Sequence, residues 1–126
     1  MIFWIASYPK SGNTWLRILI SCYYYTENGL FYENVFKKIG QFPEKMHFKS
    51  FEYDKNIVTD TTRLWLKAQE KINYDKKLKF FKTHNAFGSL NNNNFTDSKN
   101  SIGAIYIVRD PRNVITSVKN HSELND

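Results

Sequence analysis

The chain has 126 residues, of which 41% are hydrophobic and 17% aromatic, near the usual size of one domain and able to supply a real core. Eighteen Lys and Arg against twelve Asp and Glu leave a formal charge of +6, which favours an anionic partner: a nucleotide, a sulfated or phosphorylated ligand, nucleic acid or an acidic surface. Cys22 is the single cysteine, which excludes an internal disulfide and a bridge-stapled scaffold, so a cytoplasmic setting is expected.

The run Ile2-Phe3-Trp4-Ile5-Ala6 is apolar and rich in β-branched and aromatic residues, and Tyr8-Pro9 with Ser11-Gly12 ends it, so a buried strand entering a turn is expected. It has no basic segment ahead of it, and the later apolar stretch at residues 15–25 is interrupted by Arg17 and is shorter than the roughly 20 residues of a membrane span. Neither a signal peptide nor a transmembrane helix is expected. Leu16, Leu19, Ile20 and Tyr23 follow helical spacing, which predicts a helix over 13–26 that stops near Asn28-Gly29. Residues 30–55 mix aromatics, lysines and Pro43 without a sustained period and are expected to hold a short helix or two among loops. Asp60 or Thr61 can cap a further helix with Leu64, Trp65, Ala68 and Ile72 on its apolar face, ending near Asp75-Lys76-Lys77 and covering the sheet.

A second strand is predicted at 78–82, running into Thr83-His84, and a polar loop around the four asparagines at 91–94. Residues 102–108 read as a third strand, nearly all apolar, as in a parallel sheet covered on both faces. Asp110 is then an N-cap and Pro111 the first residue of a helix with Val114, Ile115 and Val118 on one face. Strands alternate with helices and no internal repeat or linker intervenes, so the expected fold is one α/β domain with a P-loop-like parallel sheet flanked by helices. Three strands are few for such a sheet, which reads as the front part of something larger.

The chemistry concentrates at Tyr8-Pro9-Lys10-Ser11-Gly12-Asn13-Thr14-Trp15, between a strand and a helix. Unpaired N–H groups and the macrodipole at a helix start form a site for phosphate or sulfate oxygens. Gly12 allows close backbone approach, Lys10 adds a mobile charge, and Ser11 and Thr14 add hydroxyl donors. This is not a Walker A loop, because the lysine precedes the glycine. A second segment, residues 105–117, runs from a strand through Arg109 and a turn into a helix that carries Ser117 about two turns in. An arginine at a strand end offers a planar fork to phosphate oxygens. Lys82-Thr83-His84 is a third element, where a histidine with an ordinary pKa of about 6.5 suits proton transfer near neutral pH.

The octapeptide closely resembles the 5′-phosphosulfate loop of the sulfotransferases that use 3′-phosphoadenosine 5′-phosphosulfate (PAPS), and Asn13 makes it more like their bacterial branch. The segment 105–117 resembles their 3′-phosphate-binding segment, with the arginine and serine at matching spacing. The resemblance covers the front half of a family member. It implies that PAPS is the co-substrate and that Lys10, Ser11, Gly12, Asn13, Thr14, Trp15, Arg109 and Ser117 bind it. It further implies that Lys10 contacts the bridging oxygen of the leaving phosphate, that His84 takes the acceptor's proton, and that Lys82 helps neutralise the sulfuryl group. The acceptor is then a small molecule or glycan, with no nucleic acid or membrane as partner; Trp65, Tyr53 and Phe87 can line its pocket. No metal is expected, since three scattered histidines and one cysteine lack the paired spacing of a zinc site. Two other readings stand beside this one: a nucleotide-using kinase or hydrolase of the wider P-loop class, and a basic nucleic-acid-binding module.

Overall fold

The computed structural model of the protein describes residues 1–57 and 59–122. The first apolar run forms β1, Ile2–Ser7, and the loop after it opens into α1, Asn13–Tyr25. Next come β2, Gly40–Gln41, then α2, Trp65–Ile72, and β3, Lys79–Thr83. A hairpin of β4, Ser89–Leu90, and β5, Asn93–Asn94, precedes β6, Ser101–Ile107, and α3, Pro111–Ser122. The main sheet has four strands in the order β2, β3, β1, β6, all paired in parallel. β1 is flanked by both later strands: Ile5 lies opposite Lys82 on one side and Ile105 on the other.

The core is aromatic. Trp4 of β1 meets Phe95 at 5.1 Å, Phe42 at 5.7 Å and Phe81 at 6.2 Å between ring centroids, and Trp65 of α2 closes over Phe95 at 5.3 Å. Below this layer runs a chain of buried polar groups. Gln69 Nε2 donates to Phe95 O at 2.6 Å, and Thr96 Oγ1 donates to Gln69 Oε1 at 2.5 Å. Ser101 Oγ lies 2.6 Å from Thr96 Oγ1 and accepts from Trp4 Nε1 at 2.6 Å. Since the Thr96 proton goes to Gln69, the Ser101 hydroxyl must donate to Thr96, and each proton has one place.

Five local features differ from the sequence reading. β2 was not expected, because two residues present no period; the Phe42 N–H extends its pairing by donating to Lys82 O at 2.9 Å. The asparagine run is a hairpin and not an open loop: Asn91 and Asn92 have φ of 51° and 59°, the left-handed pair that a tight hairpin turn requires and asparagine tolerates. Residues Asp60–Leu64 form a 3₁₀ turn, and the α-helix starts only at Trp65, because Asp60 is engaged by Arg63 and by the Asp54 N–H, both at 2.8 Å. Along α1 the buried side is Asn13, Ser21 and Cys22, while Leu19 and Tyr23 of the expected apolar face are exposed. The helix is turned this way because Asn13 bonds inward to β1. Finally, β6 is an outer strand beside β1 alone among the described residues, so Ile102, Ile105 and Tyr106 are exposed and its two faces are not covered as expected.

Candidate functional site

In parallel α/β sheets ligands sit beyond the carboxyl ends of the strands, where the strand order reverses. Here the chain moves from the β3 side of β1 to the β6 side, so the loop after β1 lies at that reversal. Ala6 opposite Thr83 and Ser7 opposite Ile107 bring the first loop, His84 and Arg109 to one end of the sheet.

The loop has an unusual backbone. Lys10 adopts φ 63° and Gly12 φ 103°, so two of three successive residues lie in the left-handed region. Glycine does so at little cost, whereas lysine pays roughly 1–2 kcal/mol. Gly12 is the N-cap of α1 and offers no side chain to the first turn. Leu16 is the first residue whose N–H reaches a helix carbonyl, that of Gly12 at 3.2 Å, which leaves the N–H groups of Asn13, Thr14 and Trp15 to another acceptor. The Asn13 side chain faces inward: its Nδ2 donates to Ile5 O at 2.9 Å and to Ser7 Oγ at 3.0 Å. Of Asn13, the group open to a ligand is therefore the backbone. Ser11 is also buried, while Thr14 and Trp15 are exposed.

Arg109 Nη1 donates to the Lys10 carbonyl at 3.1 Å across 99 residues, joining the two phosphate-type motifs. Its other guanidinium N–H groups keep their fork geometry. Asp110 caps α3 as expected, its Oδ1 accepting the Arg112 N–H at 2.9 Å. Ser117 lies half-buried on that helix.

His84 stands just past β3, with Nδ1 2.7 Å from Ser7 O and 3.4 Å from Ser7 Oγ. A carbonyl can only accept, so Nδ1 carries a proton, and in the neutral ring the lone pair is on Nε2. Asn13 and His84 thus brace the same end of β1. Lys82 lies near them, its Nζ donating to Gln41 Oε1 at 3.1 Å. Burial, and next the nearby charge of Arg17, push the Lys82 ammonium below its ordinary range, while Glu44 acts the other way. Burial likewise lowers Arg17, whose guanidinium lies 5.2 Å over the Phe36 ring and whose Nε has no hydrogen-bond partner. Arg17 and Gln41 are neighbours of the site that the motifs did not disclose; no local pattern marks them, because Gln41 meets Lys82 through the pairing of β2 with β3 and Arg17 comes to it from α1.

Two cavities are lined by described residues. The larger, about 850 Å³, is lined by Phe48, Phe51, Tyr53 and Ile57 with charged residues including Lys45 and Lys49. The smaller, about 230 Å³, includes both His84 and Trp65 in its wall. Of the three aromatics expected around an acceptor, Trp65 lines the cavity at His84, Tyr53 lines the other, and Phe87 is 81% exposed. Among the described residues, no three or more His, Cys, Asp or Glu stand together as a metal site, and no helix is long and apolar enough to cross a membrane.

A parallel sheet with an uncapped helix start, a lysine loop and a latched arginine at its carboxyl end defines an α/β protein of P-loop-like architecture. The family model described as the sulfotransferase domain matches residues 2–126, and the chain belongs to that family. Sulfuryl transfer is accordingly its general activity, which favours this reading over the kinase and nucleic-acid alternatives. No curated protein and no solved structure matches the chain.

Proposed function

We propose that the protein transfers a sulfuryl group from PAPS to a hydroxyl or amine of a small-molecule or glycan acceptor. The observation that carries this reading is the bond from Arg109 to Lys10 O, which joins the arginine assigned here to the 3′-phosphate to the loop assigned to the 5′-phosphosulfate. The residues fit the nucleotide: the N–H groups of Asn13, Thr14 and Trp15 receive one anionic end, and Arg109 with Ser117 the other. When bound, PAPS supplies a sulfuryl group joined to phosphate through one bridging oxygen. His84 Nε2 takes the acceptor's proton as the new bond from the acceptor oxygen or nitrogen to sulfur forms and the bond from sulfur to the bridging oxygen breaks. Lys10 and Lys82 balance the charge that grows on the leaving phosphate. The products are the sulfated acceptor and 3′-phosphoadenosine 5′-phosphate, with the proton on His84.

Calorimetric titration with 3′-phosphoadenosine 5′-phosphate, against adenosine monophosphate and ATP, tests the donor. Selective binding that weakens about tenfold or more in Arg109→Ala is expected. Equal affinity for all three nucleotides, or none for any of them by the folded chain, overturns the assignment.

A further inference from the structure

The larger cavity shares no lining residue with the first loop, His84 or Arg109, and its chemistry is its own. Its floor is Phe48, 2% exposed and part of the aromatic core, with Phe51 and Tyr53 packed against that core beside it. At about 850 Å³ it falls within the roughly 300–1,000 Å³ of small-molecule sites, with room for a body of two or three rings. Its wall is pinned from outside. Arg63 Nη2 donates to Glu52 O at 3.0 Å, the Asp54 N–H donates to Asp60 Oδ2 at 2.8 Å, and Lys71 Nζ donates to Ser50 Oγ at 2.8 Å. Residues 50–54 are thereby tied to the 3₁₀ turn and to α2, so an occupant finds the wall already ordered.

Charge narrows the choice of occupant. Lys45, Lys49 and Lys55 line the same cavity, and among the described residues none of their ammonium groups makes an ion pair or a hydrogen bond. Glu44 and Glu52 are the acidic lining residues, so three cations against two anions leave one positive charge over. Glu44 is moreover drawn elsewhere: its side chain accepts the His47 N–H, and its charge acts on Arg17 and Lys82. Unpaired cations around an apolar floor attract an anion, and their alkyl stems can lie along its apolar body.

We infer that this cavity is a second ligand site, for an amphipathic monoanion whose two or three apolar rings lie on Phe48, Phe51 and Tyr53 and whose carboxylate or sulfo head stands among Lys45, Lys49 and Lys55. The site is separate from the proposed reaction and does not depend on it.

Titration of ¹⁵N-labelled protein without nucleotide tests this, with four probes on one ring system: 2-naphthoate, 2-naphthalenesulfonate, the uncharged 2-naphthamide and the cation 2-naphthylmethylammonium. Both anions are expected to move the backbone signals of Phe48, Phe51 and Tyr53, and the tighter of the two names the head group. The amide should bind about fivefold more weakly than the tighter anion, and the cation more weakly still. Lys45→Gln, Lys49→Gln and Lys55→Gln together, all at exposed positions, should bring the anions to the affinity of the amide and change the amide less than twofold. Added salt should narrow the same gap in the unaltered protein. Equal binding of anions and amide, shifts confined to residues 10–15 or to His84, an unchanged anion affinity in the triple variant, or no saturable binding below about 10 mM overturns the inference. Should the triple variant not fold, the comparison of the four probes on the unaltered protein still decides it. Since no nucleotide is present, failure of PAPS binding and failure of this inference are read separately.

Discussion

Lys10 joins two demands that compete. In the proposed mechanism its ammonium stands beside the leaving phosphate, while its left-handed backbone, φ 63°, suits glycine better. Two substitutions separate them. Lys10→Gly removes charge and relieves the backbone, so urea unfolding should show unchanged stability or a gain of about 1 kcal/mol, with turnover falling at least tenfold. Lys10→Ala keeps the backbone cost and loses the same charge, so it should match the glycine variant in turnover and fall below it in stability. Equal turnover of either variant and the unaltered protein would remove Lys10 from the mechanism. The turn from β1 into an uncapped helix start was legible because glycine, lysine and helix start are neighbours in sequence. What Asn13 does with its side chain was not legible, since its partners lie on the strand before the turn. The protonated nitrogen of His84 was equally hidden, because Ser7 O, which decides it, is 77 residues away.

The stretch from β2 through the 3₁₀ turn Lys45–Phe48 is the element the sequence disclosed least, and His47 is its keystone. Its Nδ1 accepts the Glu44 N–H at 3.1 Å, and its ring lies 5.1 Å from Phe42 and 5.6 Å from Phe81. Burial lowers its pKa, with the Glu44 charge opposing. The folded state therefore favours neutral imidazole, and the unfolded chain binds the extra proton. This contribution is present above the ordinary histidine value of about 6.5 and is lost as pH falls through it and on through the lower folded value. Urea midpoints at pH 7.5 and 5 should fall with pH in the unaltered protein and differ less in His47→Gln. Asp60, Asp75 and Asp110, held below the usual carboxylate range chiefly by hydrogen bonds from Arg63, Lys79 and Arg112, lose their contribution at lower pH and stay outside this window. An equal slope in both proteins would assign the pH response elsewhere.

At the scale of the whole molecule, the alternation of strand and helix was enough to read a parallel α/β sheet, and the three longer strands stand where the apolar runs put them. The strand order was not readable, because it depends on contacts between segments that share no local pattern. The polar chain through Gln69, Thr96, Ser101 and Trp4 is another such contact, tying α2, β6 and β1 together. Ser101→Ala leaves Trp4 Nε1–H without its acceptor and should cost about 1–3 kcal/mol in denaturant unfolding. A loss below a few tenths would mean that water replaces the hydroxyl. Gly103 is a second long-range requirement: a Cβ there would meet the Phe3 ring at 2.9 Å.

The place of β1 between β3 and β6 also governs how the protein is made. Residues 2–7 leave the ribosome well before their hydrogen-bonding neighbours, residues 79–83 and 101–107. At a synthesis rate of about 5–20 residues per second, the strand waits roughly 5–20 seconds for its second neighbour. Until β3 emerges Ile2, Phe3, Trp4 and Ile5 are an unpaired apolar segment, of the kind that chaperones bind and that self-associates when they do not, and until β6 emerges one edge stays open. This interior strand of the sheet is thus made before both of its neighbours and enclosed only when the second arrives, and yield in the cell depends on how well it is shielded meanwhile.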